Sequence, residues 1–266
     1  MLSAFTFADV SKPEKDALLA LFNATNGTAW NTTWNTETSV SEWHGVTVEN
    51  DKVVALNLSF NNLNGQLPEA IKGLTHLKAL NLSFNKLEGN LPKAIVTLKA
   101  LEELKLFSNN FTGNIPQDID QLTQLKSLEL YNNSFSGKIP ASIGNMETLE
   151  QLLLSSNLLI GKLPNSISNC KSLKVLSVFD NQLIGTLPSS IGDLAQLEEL
   201  VLSNNAFYGQ LPSSMAKLTN LKTLLLGNND FKGNYANLQE QLPSIVDFDI
   251  DESNTRGTIV TLDIED

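Results

Sequence analysis

The sequence predicts a right-handed solenoid in which short parallel strands stack coil upon coil. Leucine and proline recur with a period of 24 residues, and so does glycine, at Gly65, Gly89, Gly113, Gly137, Gly161, Gly185, Gly209 and Gly233. A constant period of about 20–29 residues with leucines in register is typical of this architecture. We expect about nine parallel strands on a concave face and short 3₁₀ or irregular outer segments, in a mostly β member of the α/β repeat class.

One period shows why each residue type stands where it does. Leu80 and Leu82 alternate with small or polar neighbours, which predicts a strand with its leucines turned inward. Asn85 follows that strand, where its amide can bond backbone groups that lose their ladder partners. Gly89 permits a backbone conformation that other residues resist, and Pro92 fixes φ. We predict a structural ladder of Asn61, Asn85, Asn109, Asn133, Asn157, Asn181, Asn205 and Asn229.

The same register sets the expected boundaries. Counting 24 residues on from Leu224 gives Phe248, so we predict a ninth strand there, and Gly257 keeps the glycine position. Ser11 and Glu14 form a Ser-x-x-Glu capping box that predicts a helix before the first coil. We expect a tail or signal remnant (1–10), a helical, Trp-rich cap (11–52), the repeats (53–257) and a closing strand (258–266), all in one domain.

The repeat L-x-x-L-x-x-L-x-L-x-x-N-x-L-x-G-x-[IL]-P resembles the plant-type leucine-rich repeat (LRR), from about Val53 to Gly257. The segment around Trp43 is similar to the N-terminal cap of plant receptor-like proteins, where two cysteines bracket it. Here Ser41 and Val48 stand near those places, as in the cysteine-free caps of bacterial or algal secreted LRR proteins. The resemblance to receptor-like ectodomains and polygalacturonase-inhibitor-like proteins implies a secreted, extracellular or cell-surface protein.

Composition argues against several other classes. Of the 266 residues, 18 are Lys or Arg and 29 are Asp or Glu, and a net charge of -11 disfavours a nucleic-acid partner. One cysteine, Cys170, and two histidines, His44 and His76, offer no zinc site. Cys170 shares its repeat position with Leu74 and Leu98, which predicts a core residue. No apolar run spans a membrane. We therefore expect a monomer without metal or cofactor, and not an enzyme.

The outward strand positions are the candidate ligand site. They carry Asn and Ser in the first two coils but turn apolar or charged later, although the fold does not require the change. Clustered exposed aromatic and aliphatic residues are typical of recognition surfaces. We predict that a protein, peptide or glycan binds the concave face at Lys105, Phe107, Glu129, Tyr131, Leu153, Phe179, Val201 and Leu225. The alternative interpretation is scattered exposure, with Phe60 and Phe84 packing along the rim.

Two further functions stay open at this point. An ice-binding or surface-adhesion protein would use the residues beside each repeated glycine, from Asn64 and Gln66 to Tyr208 and Gln210. Those residues are mixed in size and charge, whereas matching ice calls for a repeated small group. A carbohydrate-active enzyme needs acids with shifted pKa values, and carboxylates on an open strand face stay hydrated.

Overall fold

The computed structural model describes residues 10–233, 242 and 244–249. Its contacts divide the chain into two compact units, residues 1–136 and 137–266. Each unit is a stack of coils with parallel strands, so the predicted solenoid fold is confirmed. The single-domain organisation stays a prediction. The predicted tail up to Asp9, Gly257 and the closing strand 258–266 lie outside the described residues.

The first unit begins with helix α1 (Lys12–Ala24). Short 3₁₀ turns at Gly27–Ala29, Val40–Glu42, Glu69–Gly73, Lys93–Thr97 and Ile119–Gln121 connect its strands. These strands are β1 (Val46–Glu49), β2 (Lys52–Asn57), β3 (Asn64–Gln66), β4 (Ala79–Asn81), β5 (Lys86–Gly89), β6 (Glu103–Lys105), β7 (Asn110–Phe111) and β8 (Ser127–Glu129).

The strands of the first unit form two sheets. In the first sheet, β1 pairs antiparallel with β2, and β2, β4, β6 and β8 follow in parallel with Leu56, Leu80, Leu104 and Leu128 side by side. In the second sheet, β3, β5 and β7 pair in parallel. The sequence did not predict this second sheet, because its strands have only two to four residues around the repeated glycine. Gly89 sits there at φ +76°, in the region that favours glycine.

The second unit repeats the pattern, and β9 (Ser136–Gly137) crosses the boundary between the units. Its 3₁₀ turns are Ala141–Asn145, Asn165–Asn169, Ile191–Asp193 and Ser213–Lys217. Its strands are β10 (Gln151–Leu153), β11 (Leu158–Gly161), β12 (Val175–Ser177), β13 (Gln182–Gly185), β14 (Glu199–Val201), β15 (Ala206–Gly209), β16 (Thr223–Leu225), β17 (Asp230–Phe231) and β18 (Asp247–Asp249).

In the second unit, β10, β12, β14, β16 and β18 form the first sheet, and β11, β13, β15 and β17 form the second. Phe248 of β18 pairs with Leu224, so the predicted ninth strand exists. Cys170 is fully buried as predicted, and its Sγ donates to the carbonyl of Ile143 at 3.1 Å. Burial raises the pKa of its thiol to about 11, which leaves it protonated at neutral pH.

Asparagine side chains tie neighbouring coils together. Nδ2 of Asn109 donates to the carbonyls of Leu82 and Leu106, both at 3.0 Å, and its Oδ1 accepts from the amide of Leu87 at 3.0 Å. Asn181 repeats the arrangement in the second unit, donating to Leu154 at 3.1 Å. These bonds satisfy backbone groups where the chain leaves the strand and the sheet ladder ends.

The cap is held by a buried carboxylate and by aromatic packing. The Glu14 carboxylate accepts from the Ser11 amide and hydroxyl, which closes the predicted helix start, and from the Val53 amide of β2 at 3.0 Å. Behind the helix, ring centroids lie 4.7–5.9 Å apart among Phe22, Trp30, Trp34 and Trp43. This cluster fills the cap that the resemblance associates with a disulfide.

Candidate functional site

Four rings form a continuous aromatic strip, defined by Phe60, Phe84, Phe107 and Tyr131, along the strand ends of the first unit. Phe60 and Phe84 stack at 4.0 Å between centroids, Phe84 meets Phe107 edge-on at 5.1 Å, and Phe107 stacks on Tyr131 at 4.3 Å. Phe60 is 65% exposed and Phe84 is 42% exposed. The strip therefore presents an apolar surface to solvent across four successive coils.

Two members of the aromatic strip occupy strained backbone positions. Phe60 and Phe84 have φ of 55° and 53°, in the left-handed region that costs an ordinary residue about 1 kcal/mol or more. The other described coils place Ser, Asn or Asp there, at Ser108, Asn132, Ser156, Asp180, Asn204 and Asn228. A bulky aromatic residue in this conformation is a true outlier. The strain at these two positions marks the strip as a candidate site.

A charged trio, defined by Glu103, Lys105 and Glu129, lies on the same strand face. Nζ of Lys105 is 3.0 Å from the Glu103 carboxylate and 3.5 Å from that of Glu129. The hydrogen bond with Glu103 raises the pKa of Lys105, against the opposing effect of partial burial. Burial, and then the charge of Glu129, raise the pKa of Tyr131. The trio carries two carboxylates and one ammonium at neutral pH, which leaves one net negative charge.

The first two coils offer side-chain amides on this face. Oδ1 of Asn57 accepts from the Ser59 amide and hydroxyl, and Oδ1 of Asn81 accepts in the same way from Ser83. Among the described residues, Nδ2 of neither asparagine has a hydrogen-bond acceptor. Two amide donors therefore face solvent on the strands that precede the charged trio.

The second unit holds the remaining predicted site residues. Leu153, Val201 and Leu225 occupy one outward position of successive strands, interrupted by Ser177, and all are half-buried. Phe179 is half-buried two residues beyond Ser177. No ring stacks on Phe179 among the described residues, unlike the rings of the aromatic strip. The predicted set thus divides into an organised group in the first unit and a scattered group in the second.

Glu103 was missing from the predicted site. It lies two residues before Lys105 on β6, in the outward position of Ala55, Ala79 and Ser127, which belongs to the same 24-residue register. A register count that included this position would have found it. From the sequence, Phe60 and Phe84 were expected only to pack along the rim, because ring stacking depends on side-chain rotamers that a sequence does not show.

Family models identify the repeat. A model described as a leucine-rich repeat region matches residues 52–158. A second, described as a leucine rich repeat, matches residues 148–170, 172–194 and 196–218. This chain belongs to the leucine-rich repeat proteins. Curated proteins include no match to this LRR protein.

Several solved structures are similar to this LRR protein. PEPR1–AtPEP1 has a TM-score of 0.78 at 34% identity, covering 83% of this chain and 32% of that chain. The plant peptide hormone receptor RGFR1 in complex with RGF2 has a TM-score of 0.68 at 36% identity, covering 74% of this chain and 31% of that chain. The LRR ectodomain of the plant membrane receptor kinase GASSHO1/SCHENGEN3 from Arabidopsis thaliana, in complex with CASPARIAN STRIP INTEGRITY FACTOR 2, has a TM-score of 0.74 at 29% identity. That match covers 87% of this chain and 32% of that chain.

These matches confirm the plant-type resemblance. This LRR protein spans about a third of the length of the three structures. A plant ice-binding protein has a TM-score of 0.58 at 24% identity, covering 91% of this chain and 96% of that chain, a likeness that concerns the fold alone.

The described part of this LRR protein has neither a candidate metal cluster nor a membrane-spanning helix. Residues 10–233, 242 and 244–249 contain no group of three or more His, Cys, Asp or Glu side chains that could hold a metal ion. Over the same residues, no helix has the length and apolar character needed to cross a membrane.

Proposed function

We propose that this LRR protein is a non-catalytic recognition module that binds an extended peptide across the aromatic strip of the first unit. The observation that carries the proposal is the left-handed backbone of Phe60 and Phe84. Strain of this kind persists where the surrounding structure and a function maintain it. Four of the six other described coils carry Asn or Asp at this position, and these residues enter the left-handed region more readily. The two phenylalanines therefore serve something other than the fold.

The ring geometry favours a peptide over a glycan. A sugar ring stacks on an open aromatic face, but Phe60 and Phe84 cover one another at 4.0 Å, and Phe107 and Tyr131 do so at 4.3 Å. Within each stacked pair, the faces turned toward each other are closed to a ligand, and the ring edges and the notches between rings remain. Aliphatic and aromatic side chains of a peptide fit such notches, because aromatic pairs accept edge-to-face contacts. A pyranose would find few free ring faces along the strip.

Polar groups around the strip extend the same argument. The net negative charge of the charged trio attracts a basic side chain, whose stem can lie along the strip while its charge approaches Glu129. Nδ2 of Asn57 and of Asn81 can donate to ligand carbonyls. The ligand we propose is therefore an extended peptide with apolar side chains and at least one Lys or Arg.

The solved relatives support a peptide ligand and a place outside the cell. RGFR1 is described as a peptide hormone receptor, at 36% identity to this chain. GASSHO1/SCHENGEN3 contributes an LRR ectodomain of a membrane receptor kinase. We extend both features to this protein as a secreted or cell-surface, receptor-like binder.

Selection from a library of displayed random 12-residue peptides tests the proposal. The immobilised protein should enrich peptides that combine apolar residues with Lys or Arg, and the Phe107→Ser/Tyr131→Ser variant should fail to enrich them. Serine is the residue of Ser59, Ser83, Ser155 and Ser203 at this repeat position, so the change suits the fold.

The matched control removes two exposed apolar side chains from the second sheet of the other unit, as Ile160→Ser/Ile184→Ser. This control should enrich the same peptides as the wild type. Equal enrichment by the strip variant, or no enrichment by the wild type, would contradict the proposed peptide site.

A further inference from the structure

A second apolar surface lies outside the ligand site. Leu158 and Ile160 of β11, Ile184 of β13 and Tyr208 of β15 are between 43% and 49% exposed. These four residues define the side patch, which lies on the second sheet of the second unit. Ile160 pairs with Gln182 and Ile184 with Ala206, so the large apolar side chains lie diagonally on successive strands. Diagonal neighbours on a sheet are within reach of long side chains, and exposed apolar patches mark interaction sites.

The fold itself does not require the side patch to be apolar. The same repeat positions in the first unit are all polar: Asn62, Lys86, Asn110, Ser134, Asn64, Glu88, Thr112 and Ser136. Each unit contains its own second sheet, built from parallel strands at the same repeat positions. The apolar residues are therefore a property of the second unit and need another explanation than folding.

The side patch borders an open groove of about 590 Å³. Ile160, Ile184 and Ala206 form its apolar lining, and Asp180, Asn204 and Asn228 line it on the turn that precedes the second-sheet strands. Asp180 is the one charged residue in this lining. The groove and the side patch together give a surface with apolar relief and an acidic margin.

Opposite charges flank the side patch. Every strand of this sheet runs in the same direction, so residues that precede a strand lie on one side and residues that follow lie on the other. Asp180 precedes β13, whereas Lys162 follows β11 and its stem lies beside Gly185. Both are exposed, and neither forms an ion pair with another of the described residues.

We propose that the side patch binds a second copy of this chain, so that the monomer expected from the sequence is in equilibrium with a dimer. Rotation by 180° about an axis that lies in the plane of the patch and runs perpendicular to its strands exchanges the two sides of the patch. Lys162 of each copy then faces Asp180 of the other. The surface is thereby complementary to itself in charge and in apolar character, which is what a two-fold interface requires. A two-fold axis parallel to the strands would instead bring like charges together. The axis therefore runs perpendicular to the strands, and Ile184 faces its own equivalent.

Sedimentation velocity tests whether the dimer exists. A small interface of this kind gives a dissociation constant in about the micromolar range, so the wild type should be dimeric at about 100 μM and dissociate on dilution. Ile160→Ser/Ile184→Ser/Tyr208→Ser should weaken dimerisation at least tenfold with an unchanged circular dichroism spectrum. Phe107→Ser/Tyr131→Ser, which removes apolar surface elsewhere, should dimerise as the wild type does. A wild type that stays monomeric overturns the proposal.

Charge reversal tests the orientation. Lys162→Glu and Asp180→Lys should each weaken the dimer at least tenfold, because each opposes like charges across the axis, and the double variant should restore it. Failure of the double variant to recover would overturn the proposed pairing.

Cross-linking gives a second, independent readout. Facing sheets pack about 10 Å apart, so a short bis-maleimide should link Ile184→Cys to its equivalent in the other copy. The native Cys170 is fully buried and stays unreactive. Thr112→Cys, at the same repeat position in the first unit and directly after β7, should not cross-link. Equal cross-linking at both positions would contradict the interface.

Discussion

Phe60 shows how a single residue can oppose the local preference of its backbone. Its φ of 55° suits Asn or Gly, and its ring stacks on Phe84 at 4.0 Å. Phe60→Asn and Phe60→Ala both remove the ring, but only Asn readily adopts the left-handed region. We expect the Asn variant to have the larger free energy of unfolding, by about 0.5–1 kcal/mol, measured by urea denaturation.

The difference between these two variants isolates backbone strain from ring stacking, because the ring is absent from both. Equal unfolding free energies would mean that the turn tolerates any residue. Phe60 and Phe84 would then carry no backbone strain that marks the aromatic strip as functional.

Glu14 links acid stability to the cap. Burial raises the pKa of Glu14. Hydrogen bonds from Ser11 and Val53 and the charge of Lys52 together lower it by more, so the pKa lies below its ordinary value. A carboxyl whose pKa is lowered in the folded state stabilises the fold at pH values above its unfolded-state pKa of about 4.3. This stabilisation is lost as the pH falls through the folded-state pKa. Glu14→Gln should cost about 1–3 kcal/mol at pH 7.

Denaturation at a series of pH values checks this prediction. The gap between wild type and Glu14→Gln should narrow as the pH falls below about 4. Glu49 is exposed on β1, and Glu49→Gln should stay within about 0.5 kcal/mol of wild type throughout. A gap that is constant down to pH 2 would show that the charge of Glu14 does not stabilise the cap.

At the scale of the element, the asparagine ladder replaces hydrogen bonds that the strands lose at their ends. Asn109 is 8% exposed and serves carbonyls of two coils and one amide. Asn109→Ala leaves these buried backbone groups without hydrogen-bond partners. We expect the free energy of unfolding to fall by about 3 kcal/mol or more. Asn110 is exposed next to it, so Asn110→Ala should change the value by less than about 0.5 kcal/mol.

Strand position was predictable and strand partnership beyond the first sheet was not. The 24-residue period fixes which leucines turn inward, so β4, β6 and β8 appear where Leu80, Leu104 and Leu128 predict them. The second sheet has too few residues per strand for an alternation to appear in the sequence. Its existence depends on the left-handed glycines and on coil-to-coil spacing, which only the folded chain defines.

Some positions of the candidate site were predictable from the register, and its contacts were not. Phe107 and Tyr131 stand out because neighbouring coils carry Ser in their place. Their stacking at 4.3 Å depends on the rotamers of side chains on adjacent strands. The ion pairs of Lys105 with Glu103 and Glu129 depend on rotamers in the same way. Cys170 was predicted correctly because its place in the core follows from the register alone.

At the scale of the whole molecule, two surfaces depart from what the repeat requires. The aromatic strip and charged trio belong to the first unit, and the side patch belongs to the second. We assign the former to a peptide ligand and the latter to a second copy of the chain. Because each has a matched variant that leaves the other intact, the two proposals can fail separately.

Isothermal titration with a peptide selected on the wild type tests the central claim most directly. Wild type and Ile160→Ser/Ile184→Ser should bind the peptide with equal dissociation constants, and Phe107→Ser/Tyr131→Ser should bind at least tenfold more weakly, which corresponds to about 1.4 kcal/mol. The same dissociation constant for all three proteins would contradict the claim that the aromatic strip is the ligand site.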